Sequence, residues 1–218
     1  QDGPYPALQI GLAPTDSDGV QLLSAALNMD ITAPVGNDHA QAALTQVRFG
    51  RLTLGNAFGS ELLDLPIPME TQYYTSSNGL YVTNVEDSCT TLSASDLALA
   101  FVSGTPNLVA CETSIAPVTT IYFTSGKASA TAPPATTPLP RLTKPGAGNN
   151  GAVDITVNLG SASGNTCLAG TSSAATGANK TWLQWKWSGS TFDKNPTGRA
   201  TFGIYKNADE FIYLRENF

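Results

Sequence analysis

Two aspartates near the start of the sequence have the spacing of a small cation-binding loop. In the run DSDG at 16–19, two carboxylates alternate ahead of a glycine, and this pattern can wrap oxygen ligands around a hard cation such as Ca²⁺. The EF-hand pattern requires more ligands, and the corresponding later positions, Val20 and Leu27, are apolar. Asp16 and Asp18 are therefore candidate Ca²⁺ ligands, with an Asx-turn at a hairpin as the alternative.

A hydrolytic site would require a general base or a pair of acids. His39 is the single histidine, in a loop-like run, and the chain contains no Gly-x-Ser-x-Gly nucleophile elbow. Glycoside hydrolysis uses two carboxyl groups, but no spacing in the sequence selects a pair. We therefore expect a protein that is not an enzyme and keep a polysaccharide hydrolase as a third hypothesis. The acids available for such a pair include Glu61, Glu70, Glu86, Asp87 and Glu112.

The tryptophan-rich segment 182–187 is a candidate for sugar binding. Alternation along a strand places Trp185 and Trp187 on one face together with Leu183. Exposed rings on such a face can stack on sugars, whereas buried rings belong to the core, which is the simpler interpretation.

Three cysteines, Cys89, Cys111 and Cys167, have a spacing unlike that of zinc sites. In an oxidising compartment we expect a disulfide between Cys89 and Cys111, whose loop of about 22 residues would contribute on the order of 3 kcal/mol. Cys167 can replace either partner in that pair, or pair with a segment outside this sequence. Three reduced and buried thiols are the remaining alternative.

Composition restricts the class of protein. The 218 residues are 41% hydrophobic and 13% charged, as in a globular chain. A net charge of -6 repels phosphate backbones and anionic lipid, so we expect no nucleic-acid partner. No apolar run is long enough for a spanning helix. The abundance of Ser, Thr, Asn, Gly and Ala suits a secreted surface protein, and the start at Gln1 indicates a mature product or a fragment.

Alternation with a period of two residues dominates the sequence and predicts an all-β fold, an antiparallel β-sandwich with at most one short helix. In the predicted strand 153–159, Val153, Ile155 and Val157 alternate with polar residues. A turn capped by Ser95 or Asp96 would begin a helix over 97–101, and another strand there is the alternative. The ten predicted strands are 8–12, 23–31, 47–54, 67–74, 80–85, 118–123, 153–159, 182–187, 200–205 and 211–215.

A stretch rich in proline and glycine at 128–151 predicts a long extended crossover, because proline removes ladder donors. The piece after it is short for an independent core. We therefore expect residues 1–218 to form a single domain, with two subdomains, 1–127 and 152–218, as the alternative.

Several short motifs are distributed along the chain. They are VRFGRL at 47–52, NAFGSELL at 56–63, QYY at 72–74, Asn84, DSCT at 87–90, PGAGNNG at 145–151, WLQW at 182–185, ATFGIY at 200–205 and IYLRE at 212–216. Together they resemble the C-terminal region of MshQ-type proteins, which belong to the mannose-sensitive haemagglutinin class of type IV pilus systems. The similarity extends from about Tyr5 to Phe218, and 93–135 carries no matching motif.

The resemblance implies an exported surface protein of Gram-negative bacteria that is encoded with pilus machinery. It implies pilin subunits or upstream domains of the same protein as partners, and it supplies no catalytic residues. We expect the chain to act in pilus assembly or adhesion, with a glycan-binding adhesin as the alternative. We expect Arg48 and Arg51 to form structural ion pairs with Glu61 or Glu216.

Overall fold

The computed structural model describes residues 3–12, 17–18, 40–104, 107–116, 119–129 and 139–204. These ranges contain strands and two three-residue 3-10 turns, at Ala94–Asp96 and Thr181–Leu183, and none of their helices could cross a bilayer. The strands are β1 Tyr5–Leu12, β2 Ala40–Val47, β3 Gly50–Leu54, β4 Ala57–Gly59, β5 Leu65–Pro66, β6 Met69–Thr75, β7 Leu80–Thr83, β8 Thr91–Ser93, β9 Leu97–Phe101, β10 Ile115–Ala116, β11 Thr120–Thr124, β12 Lys127–Ser129, β13 Arg141–Leu142, β14 Gly151–Val157, β15 Asn165–Leu168, β16 Thr171–Ala174 and β17 Thr197–Phe202.

The strands form four sheets. β1 and β2 form an antiparallel pair, and β4-β17-β14-β9 form a four-stranded sheet. A five-stranded sheet has the order β16-β15-β10-β13-β5, and a six-stranded sheet has the order β3-β6-β12-β11-β8 with β7 beside β6. Most neighbours are antiparallel, while β10–β15 and β17–β4 are parallel. The predicted all-β, sandwich-type fold is confirmed.

The chain divides into two compact units, Gln1–Gly50 with Tyr73–Val82 and Arg51–Gln72 with Thr83–Phe218. In the smaller unit, the Arg48 guanidinium lies 4.5 Å from the centroid of the Tyr73 ring. The Tyr74 and Tyr81 rings are 5.6 Å apart in the same unit. The smaller unit thus contains aromatic and cation–π contacts in addition to the hydrogen bonds between β1 and β2.

The core of the larger unit takes its side chains from three sheets. In β14, Val153, Ile155 and Val157 are buried while Asp154 and Thr156 are partly exposed, which confirms the alternation predicted there. The strand pairs with both β17 and β9, so both of its edges are hydrogen-bonded. Other fully buried side chains of this core include Leu52, Ile115, Ile121, Phe123, Leu142 and Phe202.

The described parts of the proline- and glycine-rich segment, 128–129 and 139–151, contain strand residues. Residues 130–138 lie outside the described ranges, but β13, inside 128–151, pairs with both β10 and β5. Strands from the two sides of the segment, β9 and β14, share a sheet. The strands before and after the segment therefore contribute to one core, and the number of domains in the whole chain stays a prediction.

The predicted strand at 182–187 is wrong. Thr181–Leu183 form a 3-10 turn closed by the Gln184 N–H, which donates to the Thr181 carbonyl at 3.1 Å. Only Trp185 pairs in strand fashion, through a single bridge to Lys194. The Gln184 amide donates to Asn195 Oδ1 at 3.0 Å, and such side-chain bonds favour a looped backbone over a ladder. The predicted strands 23–31 and 211–215 lie outside the described residues.

A capped turn precedes a strand at 97–101. Ser93, rather than Ser95 or Asp96, is the capping residue, and its N–H donates to Asp96 Oδ2 at 2.8 Å in a capping box. The turn ends at once, because Leu97 has extended backbone and begins β9. The strand alternative is therefore the correct one.

The predicted Cys89–Cys111 disulfide is wrong. Cys111 is bonded to Cys167, with their Cα atoms 5.3 Å apart, and Cys89 is an exposed free thiol. The reason is topological, because β10 and β15 are parallel neighbours through Ile115 and Leu168. That pairing brings the segment before β10, which contains Cys111, close to Cys167 within β15. Loop length along the chain does not reveal this arrangement.

Candidate functional site

An aromatic and cationic group on the larger unit is the best candidate for a functional site. We define the Trp–Arg cluster as Arg51, Gln72, Trp185, Trp187 and Phe192. The Arg51 Cζ lies 5.5 Å from the ring centroid of Trp185 and 5.1 Å from that of Trp187. Both distances are within the range of attractive cation–π contacts.

Gln72 sets the orientation of the guanidinium. Arg51 Nε and Nη2 donate to Gln72 Oε1 at 2.9 and 2.7 Å. The Gln72 amide in turn donates to Glu70 Oε1 at 3.2 Å, and the Thr83 hydroxyl donates to the same oxygen at 2.5 Å. A chain of hydrogen bonds thus fixes these side chains on β3 and β6, which reduces the entropy lost when a ligand binds.

The two tryptophans differ in exposure. Trp185 is 8% exposed and meets Phe192 edge to face at 4.8 Å between centroids, whereas Trp187 is 39% exposed and Phe192 is 41% exposed. For this pair of tryptophans, the sequence left buried rings and exposed rings as alternatives. In the structure, one ring is buried and the other is partly exposed. Trp185 belongs to the protein interior, and Trp187 and Phe192 present ring surface to solvent.

A second cation, the ammonium group of Lys186, lies close to the rings of the cluster. The Lys186 Nζ lies 5.8 Å from the Trp185 centroid and 5.6 Å from that of Phe192. Asp193 forms an ion pair with the adjacent residue Lys194, whose Nζ lies 3.0 Å from Asp193 Oδ1. The hydroxyl of Thr191, with a contribution from Lys194, holds the pKa of Asp193 below its ordinary value.

A cavity of about 340 Å³ opens on the six-stranded sheet, which also carries Arg51 and Gln72. Glu70 is the one carboxylate among its lining residues, and Lys127, its partner across β12 and β6, is the one cation. The complete lining is Thr53, Gly55, Pro68, Met69, Glu70, Lys127 and Leu139.

Two of the other predicted acids, Asp87 and Glu112, accept hydrogen bonds from backbone N–H groups. Burial would raise the pKa of Asp87, but hydrogen bonds from Thr90, Thr71 and Cys89 outweigh it and lower the pKa. The Thr90 and Cys89 N–H groups donate to its Oδ1 at 3.0 and 3.2 Å. Such a carboxylate is committed to a turn, because its oxygens already accept backbone hydrogens. Glu112 similarly accepts from the Val109 N–H at 2.8 Å.

The candidate calcium ligands, Asp16 and Asp18, are not among the residues of the Trp–Arg cluster. Asp16 and His39 lie outside the described residues, and Asp18 is exposed in a turn at 17–18. Within the described ranges, no three His, Cys, Asp or Glu side chains form a possible metal site. Calcium binding by Asp16 and Asp18 stays a prediction.

Sequence reasoning found the tryptophans but missed Gln72 and the position of Arg51 among the rings. The expected ion pair of Arg51 gave no indication of a cation–π contact. A usable signal exists in retrospect, because Arg51 and Gln72 occupy outward positions of their strands, next to buried Leu52 and Thr71. Alternation therefore places both side chains on one sheet face, although it does not place the tryptophans against them.

The fold and the cluster define a disulfide-bonded all-β domain with aromatic rings at its surface. The chain belongs to the family described as DUF6701, fourth domain, whose model matches residues 48–217. No curated protein and no solved structure matches the chain. The family match begins within the first of the motifs noted above, at 47–52.

Proposed function

We propose that the chain is a non-enzymatic extracellular domain of a type IV pilus-associated surface protein of a Gram-negative bacterium, acting by contact in adhesion or pilus assembly. The resemblance to MshQ-type proteins supports the link with pili. The disulfide between Cys111 and Cys167 supports export, since disulfides persist in oxidising compartments.

The Trp–Arg cluster is the observation that carries a contact function. Its exposed rings, Trp187 and Phe192, offer apolar area, and its polar groups are held in place by hydrogen bonds. Sugars present an apolar face of C–H groups and a rim of hydroxyls, so a ring beside a fixed fork of donors suits them. Among the forms of adhesion, the cluster therefore favours glycan binding.

Glu70 supports binding over turnover. Its Oε1 accepts hydrogen bonds from both Gln72 and Thr83, which suits a carboxylate that orders neighbouring side chains. A polysaccharide hydrolase stays the third hypothesis, and release of reducing sugar by the purified chain would contradict the non-enzymatic proposal.

A glycan array and a capture assay on purified major pilin test the proposal with the same variants. We expect Trp187→Ala to lower glycan binding about fivefold, because the ring contributes stacking energy of the order of 1 kcal/mol. Trp182→Ala is the matched control, because Trp182 is 65% exposed and outside the cluster. It should bind as the unaltered chain does.

Each result selects between the hypotheses. Glycan binding lost only in Trp187→Ala supports the adhesin. A silent array with saturable capture of pilin removes the glycan function and supports assembly. Absence of both overturns the contact function as proposed.

A further inference from the structure

The outer face of the six-stranded sheet carries a row of polar side chains. Arg51 and Thr53 lie on β3 on either side of buried Leu52, and Glu70 and Gln72 alternate with buried residues on β6. The hydroxyl of Thr53 donates to the Glu70 carbonyl at 3.1 Å, which fixes the two strands in register.

Lys127 extends this row to the next strand. It is the register partner of Glu70 in the antiparallel pair of β12 and β6, so both side chains lie on the same face. Neighbouring strands are about 4.8 Å apart, and two residues along a strand span about 6.8 Å. The Trp–Arg cluster and the cavity are therefore next to each other on this face, since Gln72 of the cluster lies two residues along β6 from Glu70 of the cavity lining.

The cavity has the composition of a ligand subsite. Its volume of about 340 Å³ lies at the lower end of the range for small-molecule pockets. Pro68, Met69 and Leu139 provide apolar walls, while Glu70 and Lys127 supply an acceptor and a donor. Apolar walls with one acceptor and one donor suit a sugar ring, and the Trp–Arg cluster offers a similar combination of apolar and polar groups.

We propose that the cavity is a second sugar subsite, and that the chain binds an oligosaccharide extended from Trp187 to Lys127 rather than a single terminal sugar. The inference rests on the proposed glycan-binding function. It adds a second site, assigns Thr53, Glu70 and Lys127 to ligand contact, and identifies the ligand class as a glycan chain.

Dependence of affinity on chain length tests this inference. The probes are chito-, cello- and malto-oligosaccharides from monosaccharide to hexasaccharide, measured by calorimetry on the purified chain. If two subsites act together, affinity in at least one series rises by about tenfold or more between the monosaccharide and the longer members.

Two variants locate the second subsite. Thr53→Tyr places a ring in the cavity and should remove the gain in affinity with oligosaccharide length. Lys127→Ala keeps the cavity open and should reduce the gain in affinity with length about tenfold, as for one lost hydrogen bond to a charged group. Thr171→Tyr, on exposed β16, is the control for an added ring, and thermal melting verifies folding of each variant.

The outcomes separate the two proposals. Binding without length dependence, or a length dependence that both cavity variants retain, overturns the second subsite and leaves the glycan function standing. Binding of none of the three series, together with a silent glycan array, overturns both. If Thr53→Tyr fails to fold, Lys127→Ala decides the question alone.

Discussion

Trp185 and Trp187 are separated by Lys186 alone, yet their surroundings differ. The bridge between Trp185 and Lys194 holds one ring against Phe192, and the backbone then leaves strand geometry before Trp187. A regular strand would have given both rings the same face and the same burial. The departure from the predicted strand is therefore what exposes one ring for contact.

Asp87 gives a prediction at the same scale. Hydrogen bonds from Thr90, Thr71 and Cys89 overcome the cost of burial and lower the pKa of Asp87 below the ordinary value of an aspartate. A lowered pKa in the folded state stabilises the protein above the unfolded pKa, and this stabilisation disappears as the pH falls through the folded value.

We expect Asp87→Asn to destabilise the protein by about 1 kcal/mol at neutral pH, because a charge-assisted hydrogen bond is replaced by a neutral one. Urea denaturation at neutral pH and at about pH 2.5 measures the difference from the unaltered chain, which should narrow in acid. Glu86→Gln is the neighbouring control. A difference that stays constant with pH would contradict the role assigned to the carboxylate.

Calcium binding by Asp16 and Asp18 is a second prediction for single residues. A cation that binds only the folded state raises the melting temperature by mass action. We expect Ca²⁺ to raise it by a few degrees, EDTA to reverse the effect, and Asp16→Ala to respond to neither. Equal melting temperatures with Ca²⁺ and with EDTA would leave the DSDG run as a turn.

At the scale of elements, the disulfide joins the chain just before β10 to β15. Its cysteines are 56 residues apart, so the chain-entropy model gives it about 4 kcal/mol of stability. We expect the Cys111→Ser and Cys167→Ser double variant to lose stability of about this size in denaturant titrations.

Alkylation without reductant tests the same pairing by mass spectrometry. Cys89 alone should be labelled, and all three cysteines should be labelled after reduction. Cys89→Ser is the control, because the exposed thiol should contribute little to the free energy of unfolding. Labelling of Cys167 in the unreduced protein would contradict the bond.

The elements also show what the sequence can predict. Strands with strict alternation, such as β14, are visible in the sequence because burial of one face imposes the period. Two-residue strands such as β5 and β10 are not visible, since their pairing depends on partners distant in the chain. The sequence predicts a capped helical turn over 97–101, with a strand as the alternative, whereas the structure has the turn at Ala94–Asp96, capped by Ser93, and the strand at 97–101.

At the scale of the whole molecule, fold class follows from the sequence, whereas topology and site do not. Period-two patterning suffices for an all-β chain with a shared core. Which strands become neighbours is decided by packing among residues far apart, and this determined both the cysteine pairing and the place of Arg51 beside the tryptophans. The Trp–Arg cluster was therefore half predictable, with its rings visible and their partners hidden.

The disulfide determines which part of the chain carries load when force is applied to its two ends. Force applied at the two ends of the chain acts across the covalent bond between Cys111 and Cys167. The segment between these cysteines, which are 56 positions apart, carries no load while the bond is intact. At about 3.4 Å per residue, the bond shortens the fully stretched length by about 190 Å. Strands β10 to β14 are thereby shielded from tension. A reducing agent should increase the contour length measured in single-molecule stretching by about 190 Å.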